Sequence, residues 1–162
     1  STRIIPKSWH LKLFYRSDEL LKTYPICTDM SRISRRLVQS HDYDKFINKR
    51  RENYQYLLQN WNFPAAIPMY QHLPDFVCPH GFIVLAKDRD YLRSQLAKAN
   101  IYCPVHWEPT QGRGHSIAQE IKPDEFALSW EIAKRNLMIP IDHRYGIKEM
   151  RYIITKMHQI YP

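Results

Sequence analysis

Residues 42–61 constrain this chain more than any other stretch. Phe46, Ile47, Tyr54, Leu57, Leu58 and Trp61 recur at spacings that gather one apolar stripe on a helix, while Lys45, Lys49, Arg50, Arg51 and Glu52 take the remaining surface. A helix with a single apolar side must be covered, so the chain needs a second layer to pack on it. Asn62-Phe63-Pro64 ends the helix, because proline disfavours helical geometry in the residue before it.

The rest of the chain supplies that layer in short pieces. Residues 67–72 and 81–86 read as strands, the second on its β-branched and aromatic content, and the two could pair antiparallel. Residues 88–99 form a helix with acids at its start and Tyr91, Leu92, Leu96 and Ala99 at three-and-four spacing. Asn100 suits the left-handed position that closes it. A strand over residues 101–106 follows, then a loop over 108–123 whose Gly112-Arg113-Gly114-His115 is too short to cradle a phosphate. A helix over 123–135, a short buried strand over 137–141 and a helix over 147–160 close the chain. The alternation gives an α+β fold, a small antiparallel or mixed sheet of about three to four strands covered by helices and preceded by the long helix.

Residues 1–40 are different in kind, an arm with short helices: one over 17–22 capped by Ser17, and one from Asp29 or Ser31 to about 40 with Ile33, Leu37 and Val38 on one face. The expected organisation is therefore an arm over 1–40 and an α+β domain over 41–162. With 162 residues, 44% hydrophobic and 25% charged, there is material for one ordinary core and no sign of wholesale disorder. No apolar run approaches the roughly 20 residues that cross a bilayer, and no secretion signal stands at the start. Three widely spaced cysteines, Cys27, Cys78 and Cys103, argue against a disulfide framework and for a reducing compartment, so a cytoplasmic location is expected.

Three segments carry a likeness to a known family. Lys49-Arg50-Arg51-Glu52-Asn53-Tyr54 resembles the Arg-Arg-x-Asn-like helix that enters the small domain of DegT or StrS-type nucleotide-sugar aminotransferases, which are fold-type I pyridoxal-phosphate enzymes. The unit over 88–107 resembles their helix-strand segment ending in His and an aromatic residue. Leu137-Met138-Ile139-Pro140-Ile141-Asp142-His143-Arg144-Tyr145 resembles their Leu-Pro-Ile strand and turn before the closing helix. The likeness covers residues 29–160 in the family's order. It implies the C-terminal small domain of such an enzyme, a homodimer in its complete form, acting on a nucleotide-linked keto sugar. The large domain that carries the cofactor lysine in that family would precede this region, and 162 residues leave no room for it. The resemblance thus implies pyridoxal phosphate in the complete enzyme, none for this chain alone, no catalytic residue here and no activity alone.

The same resemblance points to His106 and Trp107 as substrate contacts, an imidazole for hydroxyls and an indole for a sugar face. Arg144 could grip a carboxylate or phosphate through its fork, or simply fix its turn through Asp142 or Glu149. Ser31 and Arg32 lie where family members reach toward a neighbouring active site, although Cys27-Thr28-Asp29 replaces the usual Gly-x-Asn. His72, Cys78, His80 and Cys103 fit no paired zinc spacing, so no metal is expected. A net charge of +8 keeps one other class open, a small basic nucleic-acid-binding or protein-interaction module, but the basic residues are spread and no RNA-binding sheet signature is present.

Overall fold

Three helices begin where a side-chain oxygen accepts a backbone N–H three residues on, which satisfies a donor the helix itself cannot. In the computed structural model, which describes Trp9 and residues 12–13, 15–17, 19–20, 29–106 and 125–162, these caps are Ser31, Asp42 and Asp88. Ser31 opens α1 (Arg32–Ser40), Asp42 opens α2 (Tyr43–Asn60), and strands β1 (Ala66–Pro68) and β2 (Phe82–Ala86) follow. Asp88 opens α3 (Arg89–Lys98), and α4 (Ala127–Arg135), β3 (Asn136–Ile139) and α5 (Ile147–Ile160) complete the described order. The chain divides into two compact units, Ser1–His41 and Asp42–Pro162. No helix among the described residues is long and apolar enough to cross a membrane.

In the first unit α1 gathers Ile33, Leu37 and Val38 as its sequence predicts, yet all three are exposed, at 74%, 55% and 46%. In the second unit the strands form one antiparallel sheet in the order β1-β2-β3, with Ile67 opposite Leu85 and Ile83 opposite Met138. The fold is α+β. Phe82, Val84 and Ala86 alternate with Ile83 and Leu85, so one sheet face is fully buried. Leu57 of α2, Leu92 and Leu96 of α3, and Met150 and Met157 of α5 join that face in the core. The rings of Tyr54 and Trp61 meet Phe82 at 5.1 and 5.0 Å, which seats α2 directly on the sheet.

Two strands are shorter than the sequence suggests, because each stops at a proline. β1 ends at Pro68, although the Met69 N–H still reaches the Ile83 carbonyl at 2.9 Å, and β3 ends before Pro140. Residues 101–106 were expected as a strand and are not one. The segment runs beside β3 but Pro104 has no N–H, and one backbone bond, from Met138 N–H to the Pro104 carbonyl at 3.1 Å, joins them. Asn100 does take the left-handed conformation, with φ of 61°.

The buried side of α2 also holds a polar residue. Asn53 is fully buried, and its Nδ2 donates to the carbonyls of Ile141, Asp142 and Tyr145 at 3.2, 3.3 and 3.1 Å. One amide thereby satisfies a turn that has little backbone pairing of its own. Asn53→Ala leaves those acceptors dry and should cost about 2–3 kcal/mol. Asn53→Asp, which turns an acceptor-only group toward three carbonyls, should cost more than the alanine change. Urea unfolding of the three proteins checks the order.

Candidate functional site

The second face of the sheet floors a cavity of about 650 Å³. Ile83 and its cross-strand partner Met138 form the base, with Met69 and Ile132 beside them. Tyr54 and Tyr70 bring two phenols into the wall, and burial together with the neighbouring Tyr70 raises the pKa of Tyr54. His72, His80 and His106 bring three imidazoles, the rings of His80 and His106 standing 6.5 Å apart at 54°. Among the described residues, no lysine, arginine, aspartate or glutamate lines this space.

Two devices shape the cavity. The segment from Leu73 to Pro79 is held on α2 by the arginine pair: Arg51 donates to the Pro74 and Val77 carbonyls at 2.7 and 2.6 Å, and Arg50 to the Pro79 carbonyl at 3.2 Å. Gly81 then passes so close to Met138 that a Cβ there would overlap its Cγ and Sδ, so only glycine lets the floor rise this far.

His106 owes its place to a residue that pattern reading did not single out. The side chain of Asn136 accepts from the His106 N–H at 3.4 Å and donates to the His106 carbonyl at 3.1 Å, imitating a strand partner where the backbone ladder has stopped. The same amide also donates to the Ile132 and Ala133 carbonyls, each at 3.1 Å, and so ties α4 to the cavity edge. An amide just after an Arg-ended helix and just before a short apolar strand was the available signal, but its partner lies 30 residues away.

The other sequence candidates lie apart from this cavity or outside what can be described. Trp107 and the Gly112–His115 loop fall outside the described residues. Arg144 forms a bidentate pair with Asp142, its Nε and one terminal nitrogen meeting the two carboxylate oxygens at 2.9 and 2.7 Å. Ser31 is engaged as the cap of α1, accepting from the Ser34 N–H at 3.1 Å, and Arg32 begins that helix. His72, Cys78 and His80 all reach the cavity, but Cys103 sits in the core, where burial pushes its thiol up to about 12. Among the described residues no three His, Cys, Asp or Glu side chains are placed to hold a metal ion together.

The Arg144 guanidinium, helped by its own backbone N–H, holds the Asp142 carboxyl down at about 2. A carboxylate with a lowered pKa favours the folded state above the ordinary carboxylate range, and the benefit disappears as pH falls from about 4 toward 2. Carbon-13 NMR of the Asp142 carboxyl should therefore show a midpoint near 2, and Arg144→Ala should return it toward 3.8. A midpoint that ignores the substitution would mean the pair does not persist in solution.

Comparison with known proteins supplies the context for this geometry. Residues 34–158 match the DegT/DnrJ/EryC1/StrS aminotransferase family. None of the curated protein sequences matches the chain. Among solved structures, Spr1654 from Streptococcus pneumoniae, assigned as a sugar aminotransferase, aligns in its PMP-form with a TM-score of 0.64 at 18% identity, over 76% of this chain and 33% of that one. The sugar aminotransferase CalS13 from Micromonospora echinospora aligns with a TM-score of 0.55 at 13% identity, over 73% of this chain and 31% of its own. A DegT DnrJ EryC1 StrS aminotransferase from Brucella abortus gives 0.51 at 17% identity, over 73% and 32%. This chain spans about a third of the length of these structures, and their likeness, at such identities, is one of fold. With the family matched across most of its residues and the same fold recurring in family members, the chain belongs to the DegT/DnrJ/EryC1/StrS aminotransferase family.

Proposed function

We infer that this chain is the C-terminal small domain of a pyridoxal-phosphate-dependent aminotransferase that acts on a keto sugar linked to a nucleotide. The observation that carries the reading is the family match over residues 34–158, joined to a fold shared with sugar aminotransferases over about a third of their length. The complete enzyme would be a cytoplasmic homodimer in which a preceding large domain binds the cofactor, and this domain would contribute closure and substrate selection.

The described lining of this cavity does not fit the cofactor. Pyridoxal phosphate needs an amine for its aldehyde and a cationic or N–H-rich cradle for its phosphate, and its bound form supplies an electron sink for the amino group's carbon. Among the described residues, its lining holds no lysine for the aldehyde and no lysine or arginine for the phosphate. What it offers is recognition. His106, fixed through Asn136, presents an imidazole that donates and accepts to hydroxyls, and Trp107 follows it in the chain. Arg144 keeps one terminal nitrogen outside its pair with Asp142, which leaves donors for an acidic group on the substrate.

The 162-residue protein, supplied with pyridoxal phosphate, an amino donor and a nucleotide-linked keto sugar, is expected to show no amino transfer by coupled chromatographic assay. Turnover by this chain alone would overturn the reading. In the complete enzyme, His106→Ala should raise KM for the nucleotide sugar about tenfold, the effect of one lost hydrogen bond to a polar substrate group, with a smaller change in kcat. An unchanged KM would remove His106 from the substrate site.

A further inference from the structure

We propose that a notch at the start of α5 binds a single pyranose ring, as a carbohydrate site separate from the cavity described above. The notch holds about 160 Å³, and none of its described lining residues is shared with that cavity. The inference goes beyond the reaction inferred above and takes its ligand from the lining alone. A volume well under the roughly 300–1,000 Å³ of most small-molecule sites admits one six-membered ring and little more.

Three pieces of the chain meet there. Ile101, just past α3, and Met150 and Ile153 of α5 are buried and give an apolar floor. Tyr102 and Tyr145, 58% and 37% exposed, bring two rings to its sides. Asn100 and Glu149 are exposed and bring an amide and a carboxylate to its rim. The frame is braced twice. The Tyr152 hydroxyl donates to the Ala99 carbonyl at 3.2 Å and ties α5 to the end of α3. Arg144, paired with Asp142, stands 5.8 Å from the centre of the Tyr145 ring.

This lining matches a sugar on both of its sides. The ring C–H groups of a pyranose form apolar patches that pack on aromatic and aliphatic side chains, while its edge carries hydroxyls that both donate and accept. The Gly146 N–H donates to Glu149 Oε2 at 2.8 Å and holds this carboxyl below its usual range, so Glu149 is ionised and only accepts. Neighbouring hydroxyls of a sugar offer such a carboxylate two donors side by side. The Asn100 amide adds both a donor and an acceptor, from a position where the backbone turns with φ of 61°. A phenolic ring would cover the floor and leave most of the rim unused, and a linear polyol would meet the rim without covering the floor.

The test uses the 162-residue chain with its tyrosine rings carbon-13 labelled for NMR. Methyl α-glucoside, methyl α-galactoside and methyl α-mannoside are titrated separately. Sorbitol supplies hydroxyls without a ring, and phenol supplies a ring without neighbouring hydroxyls. At least one pyranoside should move Tyr102 and Tyr145 saturably, with sorbitol and phenol binding about tenfold more weakly or not at all. Asn100→Gly keeps the left-handed backbone and removes only the amide, and it should weaken binding about fivefold, the loss of one hydrogen bond. Tyr102→Ala should weaken it to a similar extent by removing one ring face. The proposal is overturned by no saturable shift with any pyranoside, by equal binding of sorbitol or phenol, or by an Asn100→Gly protein that binds as well as its parent. Shifts confined to Tyr54 and Tyr70 would overturn it as well, since they would put the sugar in the cavity. The inferred reaction stands or falls separately, because amino transfer is not part of this measurement.

Discussion

Backbone carbonyls outside regular structure must find donors, and in this protein one helix provides them. Arg50, Arg51 and Asn53 of α2 donate six hydrogen bonds to acceptors between 23 and 92 residues away: the carbonyls of Pro74, Val77, Pro79, Ile141, Asp142 and Tyr145. Both recipient segments are proline-bearing connections that cannot pair with a strand. Without these donors the connection from β1 to β2 would lose its path, and with it the wall of the cavity. The turn between β3 and α5 would come away from α2 as well, and α5 packs on α2 from there. An Arg-Arg-x-Asn pattern therefore has a mechanical meaning: successive positions on one helix reach two loops on either side of it.

Much of the architecture is legible in the sequence, and the legible part is local. Asp42 and Asp88 announce their helices because capping acts over three residues, and Asn100 announces a helix end because its side chain tolerates positive φ. Strand lengths are less legible. Pro68 and Pro140 each end a run that composition alone would continue, and Pro104 prevents a third run from pairing. The cavity is the least legible feature. His72, Cys78 and His80 look like a scattered set until the β1 to β2 connection folds back and His106 arrives from another segment. Asn136, which places His106, has a function defined wholly by a partner distant in sequence. Family resemblance could point to His106 without showing what positions it.

The basic balance of the chain also changes meaning once the contacts are known. Beyond Arg50 and Arg51, Arg89 donates to the Ala133 carbonyl at 3.0 Å and Arg135 to the Ala86 carbonyl at 3.3 Å. These guanidiniums act as multi-donor clamps for main-chain oxygens, a task suited to their fixed, planar geometry. Part of an excess of 24 basic over 16 acidic residues is thus tied to holding the fold. Cation count alone overstates the capacity of such a chain to attract a polyanion.

Anchoring a loop by its carbonyls has an evolutionary corollary. Arg50 and Arg51 grip atoms that every amino acid possesses, so the course of the β1 to β2 connection is insulated from the identity of its side chains. Phe76, 92% exposed at the crest of that connection, touches solvent and not the grip, whereas Asp75 beside it adds an ion pair with Arg51 at 3.6 Å. Positions of this kind can drift or be selected while the scaffold stays constant, giving related domains a way to vary what surrounds the mouth of the cavity without redesigning the fold beneath it.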